Sequence, residues 1–370
     1  MAKTSLHELA DHGQSAWIDY LSRPFVRNGG LQELVDQGVV GVTSNPTIFQ
    51  GAIADGDAYD DQIRELAANG KSEPKEIFLA LASDDIRAAC DVLRSVYDEG
   101  AGKDGYVSFE VDPNLAHDTQ ATCEEARRLH ALVDRPNLFI KIPATSEGLP
   151  AIEETIAAGI PVNVTLIFSL ERHREVAEAY LRGLARLADD GGELGRVASV
   201  ASFFVSRVDT EADRRLDDLG LPVRDKLKGK LAVANAKLAY QTYKEAFTGS
   251  RWAELRARGA TAQRCLWAST SAKSPEYRDV IYVEELVGRE TVNTMPRTMV
   301  EAVLDHGEIR ASLEDDLDGA RKVLEDLKTA GVDYDDVVET LEREGVQKFA
   351  DSFKELFCDV EAKRDQLVAA

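Results

Sequence analysis

The chain has 370 residues, of which 44% are hydrophobic and 30% are charged, and its formal net charge is −22 at pH 7. This length fits one large α/β barrel with additional helices as well as it fits two domains. The negative charge argues against a nucleic-acid partner, and the absence of any apolar run approaching the roughly 20 residues that span a bilayer argues against a membrane protein.

The N-terminal residues 1–5 contain no apolar signal segment, so we expect a cytoplasmic protein. The four cysteines are scattered without CxxC spacing, which is typical of proteins from a reducing compartment. For its assembly we expect a monomer or a homodimer.

Eight short apolar runs along the chain predict β-strands. They occupy residues 16–21, 39–46, 106–111, 137–145, 161–168, 196–205, 264–269 and 290–296.

Helical patterns separate these runs. They are a short capped helix at Leu6 and Leu9, a helix ending at Gly38, a long helical stretch over 47–103, a helix over 118–132, a helix capped near Ser146 that ends at Gly159, an amphipathic helix capped by Ser169, and helices across 208–258.

Regular alternation of strands and helices predicts a parallel sheet, and eight units over roughly 280 residues predict a closed (β/α)8 TIM barrel. We expect a single domain over residues 1–370, with the barrel at about 14–297. Residues 298–370 show only helical patterns, with breaks at Gly331 and Gly345, which predict a helical extension packed on the barrel. Neither GxGxxG nor a P-loop supports a nucleotide-binding alternative.

The run from Asn137 to Thr145 places Lys141 inside an otherwise apolar strand, near its carboxyl end. Lys141 shares a strand face with Phe139, because side chains alternate at period two. Burial disfavours the ammonium form, and a neutral amine can attack a carbonyl to form a Schiff base. Two structural roles explain a lysine in this strand equally well: its side chain extends into solvent from an edge strand, or it forms a structural ion pair.

Polar side chains occur repeatedly at the carboxyl ends of the predicted strands, where barrel enzymes keep their active sites. Each one alone is explained by turn or capping chemistry, but in a barrel they converge on one mouth. They provide an amine nucleophile, proton-transfer groups and hydrogen-bonding groups suited to a polyhydroxylated substrate. These residues are Asp19, Asn45, Glu110, Lys141, Asn163, Thr165 and Ser202.

The six histidines fall mainly on predicted helices and show no HExxH spacing. Surface or packing roles explain them, so we expect neither a metal nor an organic cofactor.

Four stretches resemble the transaldolase family, in the family's order and over most of the chain. The run at 43–47 resembles its T-[ST]-N-P signature, 107–112 its glutamate strand, 137–145 its lysine strand and 163–169 its N-x-T-L-[IL]-F-S motif. Residues 202–207 are similar to its S-x-F-x-x-R segment.

The resemblance implies a role for each of these side chains. Lys141 would form the Schiff base with a ketose phosphate, and Asp19 would handle the proton of the C4 hydroxyl during carbon–carbon cleavage. Glu110, through a water held with Thr165, would move protons during imine formation. Asn45 and Asn163 would orient the dihydroxyacetone unit.

The substrate contacts implied by the resemblance include Ser202, Ser269 and Arg207, the last as a phosphate ligand. Many short family members place an arginine two positions after the residue matching Ser269, whereas Ser271 stands there in this chain and Lys273 follows. The stretch 267–273 instead resembles the longer branch found in some bacteria and in plants. Lys273 is therefore a candidate phosphate ligand, with a solvent-exposed loop lysine as the alternative.

The resemblance implies a cytoplasmic transferase of the non-oxidative pentose phosphate pathway that acts on sugar phosphates. It would move dihydroxyacetone from sedoheptulose 7-phosphate or fructose 6-phosphate to glyceraldehyde 3-phosphate or erythrose 4-phosphate. The alternatives are an aldolase that releases dihydroxyacetone and a non-catalytic barrel that binds sugar phosphates. Phe204 argues against the aldolase, because fructose 6-phosphate aldolases carry at the corresponding position a tyrosine whose hydroxyl can position a water.

Overall fold

The computed structural model describes residues 3–54, 56–220 and 224–369. The following positions covered by the sequence predictions lie outside the described part: residues 1 and 2 of the N-terminal segment, residue 55 of the 47–103 stretch, residues 221–223 of the 208–258 helices, and residue 370.

Eight parallel strands form a closed barrel in chain order, and the last strand pairs with the first. This confirms the predicted (β/α)8 barrel. The strands are β1 (Gln14–Asp19), β2 (Val39–Thr43), β3 (Val107–Glu110), β4 (Leu138–Pro143), β5 (Val162–Ile167), β6 (Ser199–Phe204), β7 (Arg264–Ala268) and β8 (Thr291–Met295).

Strands β3 to β8 are buried along their whole length. Helices cover the outer face of a parallel barrel and lumen side chains fill the inner face, so such strands are apolar on both sides rather than alternating. That burial explains why short continuous apolar runs in the sequence located the strands within a few residues.

Helices surround the barrel. In the first half of the chain they are α1 (Ser5–Asp11), α2 (Arg23–Arg27), α3 (Gly30–Asp36), α4 (Pro46–Ala54), α5 (Asp60–Ala68), α6 (Pro74–Val92), α7 (Arg94–Glu99), α8 (Thr119–Val133) and α9 (Gly148–Ala157).

The second half of the chain contains the remaining helices. They are α10 (Leu170–Asp189), α11 (Ser206–Leu219), α12 (Arg224–Leu227), α13 (Leu231–Ala246), α14 (Gly249–Ala257), α15 (Ile281–Glu284), α16 (Arg297–His306), α17 (Leu317–Thr329) and α18 (Tyr334–Ala369). No helix within the described ranges is long and apolar enough to cross a membrane.

The predicted helical stretch over 47–103 is divided into the four helices α4 to α7. Gly70, with φ of 81°, follows α5, and Pro74 begins α6. A positive φ ends a helix and a proline is favoured at its first position, so these two residues separate α5 from α6.

Two predicted helix caps have different outcomes. The hydroxyl of Ser169 accepts a hydrogen bond from the Arg172 backbone N–H at 2.9 Å, which confirms Ser169 as the cap of α10. The cap predicted near Ser146 lies one residue earlier, where the hydroxyl of Thr145 accepts a hydrogen bond from the Gly148 N–H, also at 2.9 Å.

The predicted break at Gly345 was wrong, because α18, which is 36 residues long, continues through it. Glycine in a helix interior ordinarily costs about 0.5–1 kcal/mol relative to alanine. Here a Cβ on Gly345 would lie 3.1 Å from Cδ2 of Leu166. The absence of a side chain therefore lets α18 pack closely against the end of β5.

Candidate active site

Lys141 lies near the carboxyl end of β4 and is 5% exposed. Its Nζ donates hydrogen bonds to Oε2 of Glu110 and to the backbone carbonyl of Ser44, both at 3.2 Å. Glu110 and Lys141 are partners in the β3–β4 register. The pair is therefore fixed by backbone hydrogen bonding between adjacent strands, with the amine also facing a cavity.

Glu110 is buried beside Lys141. Burial raises the pKa of the Glu110 carboxyl, and the charge of Lys141 is the largest opposing influence. Desolvation favours the neutral carboxylic acid, whereas the lysine favours the carboxylate. A carboxyl under these two opposing influences is suited to exchanging a proton with groups near the amine.

Asp19, at the end of β1, accepts a hydrogen bond from the Thr43 hydroxyl at 2.7 Å. Burial raises the pKa of Asp19, while the charge of Lys141 is the largest influence in the other direction. The Asn45 side chain also hydrogen-bonds Asp19. A carboxyl with a raised pKa that faces the cavity can accept a proton from a bound hydroxyl group.

Asn163, Ser202 and Ser108 form a buried hydrogen-bonded row across three strands. The Ser202 hydroxyl donates to Oδ1 of Asn163 at 2.7 Å, and the Asn163 amide donates to the Ser108 hydroxyl at 3.0 Å. Ser202 also lines the cavity, whereas Asn163 is fully buried behind it. The row holds Ser202 in one orientation toward whatever the cavity binds.

Thr165 lines the same cavity, and its buried hydroxyl has no hydrogen-bond partner among the described residues. The pairing of β5 with β6 shifts register between Val164 and Ile167, and Leu166 has φ of 60°. Such irregularities redirect side chains near active sites. An unsatisfied buried hydroxyl on a cavity wall indicates a place for a water or a substrate oxygen.

The cavity has a volume of about 380 Å³ and opens at the carboxyl ends of the strands. It brings together most of the residues predicted from the sequence, which come from strands, loops and helix α11 far apart in the chain. The predicted residues on its wall are Asp19, Asn45, Lys141, Thr165, Ser202, Phe204, Arg207, Ser269 and Lys273.

One end of the cavity is cationic. Arg207, Lys273 and Lys348 line it, and the described part of the chain gives none of the three an ion-pair partner. Burial lowers the pKa of Arg207. Lys273 is exposed at its surface, and partial desolvation lowers its pKa together with the neighbouring charges of Arg207 and Lys348. Mutually repelling cations without carboxylate partners favour binding of an anion.

Phe204 is 7% exposed and packs against Phe168, with ring centroids 5.1 Å apart. The Arg207 guanidinium carbon lies 5.2 Å from the centroid of the Phe204 ring. Phe203 faces the other way and contacts His173 of α10, as strand periodicity predicts. Phe204 therefore links the apolar wall of the cavity to its cationic end.

Sequence reasoning missed Lys348 and Phe349, which reach the cavity from α18. Neither belongs to a strand-end motif, and the predicted helix break at Gly345 obscured the course of the segment that carries them. The only available indication was a lysine next to an aromatic residue on an amphipathic helix. In the described part of the chain, no group of three or more His, Cys, Asp or Glu side chains is arranged to hold a metal ion.

Comparison with known proteins gives one family and a consistent set of relatives. The model of the family described as transaldolase/fructose-6-phosphate aldolase matches residues 16–360. A transaldolase of Frankia alni is 53% identical over 353 residues, which cover 95% of each chain.

Two further relatives agree with it. The protein named transaldolase 2 of Streptomyces coelicolor is 52% identical over 365 residues, or 98% of each chain. A transaldolase of Thermobifida fusca is 54% identical over 353 residues, which cover 95% of this chain and 96% of that one.

Proposed function

The chain belongs to the transaldolase/fructose-6-phosphate aldolase family, and from that premise we propose that Lys141 carries its reaction as a Schiff base. The activity is that of a transaldolase, a transferase of the pentose phosphate pathway that uses sugar phosphates. The relatives that are 52–54% identical to this chain are named transaldolases, and not aldolases. A single observation carries the proposal: a buried lysine amine faces a cavity whose wall also carries Arg207, Lys273 and Lys348, none of which has an ion-pair partner in the described part of the chain.

Schiff-base formation begins when the neutral amine of Lys141 attacks the C2 carbonyl of a ketose phosphate. The carbinolamine oxygen must then gain a proton and leave as water, which produces the iminium ion. Glu110, 3.2 Å from the amine, is positioned to exchange these protons through a water. The unsatisfied hydroxyl of Thr165 is a suitable partner for that water.

Cleavage follows when Asp19 accepts the proton of the C4 hydroxyl and the C3–C4 bond breaks. The bonding electrons move into the iminium, which becomes a neutral enamine, and an aldose phosphate leaves. An acceptor aldose phosphate then reverses the same steps with a new aldehyde. The contacts of Asp19 with Thr43 and Asn45 support this role, because they orient the carboxylate.

The dihydroxyacetone unit needs polar partners close to Lys141. Ser202, fixed by Asn163, and Asn45 supply hydroxyl and amide groups there. Ser269, whose hydroxyl lies 3.0 Å from that of Ser206, extends the polar wall toward the cationic end.

The phosphate group fits the cationic end. Arg207 can bind it with two parallel hydrogen bonds, and Lys273 acts as a point charge. Lys348 of α18 adds a third cation. With a net charge of −22, such a local cluster is what an anionic substrate requires.

We further infer that residues 297–369 belong to the same domain as the barrel, because Lys348 and Phe349 help to enclose the cavity.

The four cysteines are free thiols, which supports a reducing cytoplasm. In the described part of the chain, Leu219 and Val368 are the only large hydrophobic side chains that are exposed. A small assembly, a monomer or a homodimer, fits that surface.

The proposal predicts that borohydride, added in the presence of fructose 6-phosphate, fixes a three-carbon adduct on Lys141. Peptide mass mapping locates the adduct. Lys237 is an internal control, because it is 6% exposed but pairs with Glu285 and lies away from the cavity. Lys141→Met should stay folded, since its apolar side chain of similar length fills the same space, and should form no adduct. An adduct on another lysine, or active protein without one, contradicts the mechanism.

A further inference from the structure

Helix α18 crosses the mouth of the barrel and is attached there at several points. Thr47 of α4 donates a hydrogen bond to Ser352 at 3.0 Å, and Gln50 donates to Asp359, also at 3.0 Å. Gly345 packs against Leu166 at the end of β5. Residue 349 lies four positions after Gly345 and so occupies the same helix face, which is directed at the barrel.

Phe349 on this face is 7% exposed and lines the cavity. Its ring centroid lies 5.4 Å from Nζ of Lys141. That distance is within the range of a cation–π contact, in which the negative face of the ring attracts a positive charge. The polar contacts of Lys141 are to Glu110 and Ser44, and Phe349 covers a further side of the amine with an apolar surface.

We propose that Phe349 is a positioning residue that protects the covalent intermediate on Lys141 and keeps water from the side of the intermediate that the ring covers. This inference rests on the proposed Schiff-base function. The iminium ion is cationic, so the ring face favours it in the way it favours the ammonium ion. A phenyl ring neither donates nor accepts a proton, so it gives a hydrolytic water no place to bind.

The competing reaction that Phe349 suppresses is the release of dihydroxyacetone. In that reaction the enamine carbon gains a proton, which regenerates the iminium. Water then adds to the iminium carbon, the carbon–nitrogen bond breaks, and dihydroxyacetone and free Lys141 are formed. Phe349 opposes the addition of water, so the iminium can lose that proton again and return to the enamine, which then adds to an acceptor aldehyde.

The test compares Phe349→Leu with a matched control, Phe353→Leu, one turn further along α18. Phe353 is 3% exposed and packs on Phe78, with ring centroids 5.5 Å apart, away from Lys141. Two quantities are measured: dihydroxyacetone release, as a rate without erythrose 4-phosphate and per transfer event with it, and the rate of borohydride trapping at Lys141.

Loss of the ring face should raise dihydroxyacetone release per transfer by about three- to tenfold and, because borohydride attacks the same iminium carbon as water, speed trapping by a similar factor. Phe353→Leu should lower the melting temperature without changing either quantity. Phe349→Met, which also lacks a ring, must show the same change if Phe349→Leu does not fold. Unchanged partitioning in the position-349 variants, or equal changes in the control, overturns the inference. Failure of the unmodified protein to form any Lys141 adduct instead overturns the proposed function.

Discussion

The carboxyl ends of the strands and helix α18 both contribute to the cavity, but they are held in different ways. Glu110 and Lys141 are paired by the hydrogen-bonded register of β3 and β4. Lys348 and Phe349 are placed by the packing of one helix across the barrel mouth and by its side-chain hydrogen bonds to α4. Groups that exchange protons need fixed geometry, whereas an anion contact and an apolar cover tolerate small shifts. We infer that the strands supply the chemistry and that α18 adjusts binding and water access.

The largest effect is expected from Asp19→Asn, which tests the strand ends directly. Removing the base for the C4 hydroxyl should lower kcat by about 10²- to 10⁴-fold, a range typical of proton-transfer groups. Imine formation does not need this base, so borohydride should trap the intact six-carbon sugar on Lys141 instead of the three-carbon unit. The mass of the adduct distinguishes the two, and a three-carbon adduct formed at the rate of the unmodified protein contradicts the role.

The pH dependence of kcat in the unmodified protein is a second test of Asp19 as the base. Burial raises the pKa of Asp19, and the carboxyl gains its proton as the pH falls through that raised value. A protonated Asp19 cannot accept the C4 proton. On the acid side, kcat should therefore fall with an apparent pKa above the ordinary aspartate pKa of about 3.9. Full activity at pH 4 contradicts the role of Asp19 as the base.

A smaller effect is expected at the cationic end of the cavity, to which α18 also contributes a lysine. Arg207→Ala should lower kcat/KM for fructose 6-phosphate by about 10- to 100-fold, because it removes hydrogen bonds to a charged group. Reaction with unphosphorylated dihydroxyacetone should change much less. Equal losses with both substrates indicate that Arg207 is structural.

Lys348→Met extends this measurement to α18. Lys348 is exposed, so its contribution is screened, and we expect KM for sugar phosphates to rise only about two- to fivefold, with a smaller effect at high salt. Lys354→Met, an exposed lysine on the same helix outside the cavity, is the matched control. An effect as large as that of Arg207→Ala contradicts the proposal that α18 only adjusts binding and water access.

The smallest effect is expected from Phe204→Tyr. A hydroxyl added to the cavity wall can position a water, so acceptor-independent release of dihydroxyacetone from fructose 6-phosphate should rise a few-fold while transfer persists. The unmodified protein should consume fructose 6-phosphate only when erythrose 4-phosphate is present. Rapid release of dihydroxyacetone by the unmodified protein contradicts the role given to Phe204.

The sequence by itself determined the barrel and most of the residues around its cavity. Strands buried on both faces leave continuous apolar runs, and the closed parallel barrel brings their carboxyl ends together. A polar residue at a strand end, such as Asp19 or Lys141, could therefore be assigned to one mouth without knowledge of any side-chain contact. The resemblance to a known family then supplied the expected role of each residue.

Only the tertiary structure decided what covers that mouth. Gly345 resembles a helix terminator in sequence, yet it marks the point where α18 packs against Leu166. The irregular pairing at Leu166 also depends on packing rather than on local preference. The contact between Phe349 and Lys141 joins residues from distant parts of the chain. Hydrophobic periodicity identifies which helix face is buried but not what it is buried against, because that partner is chosen by the packing of the whole fold.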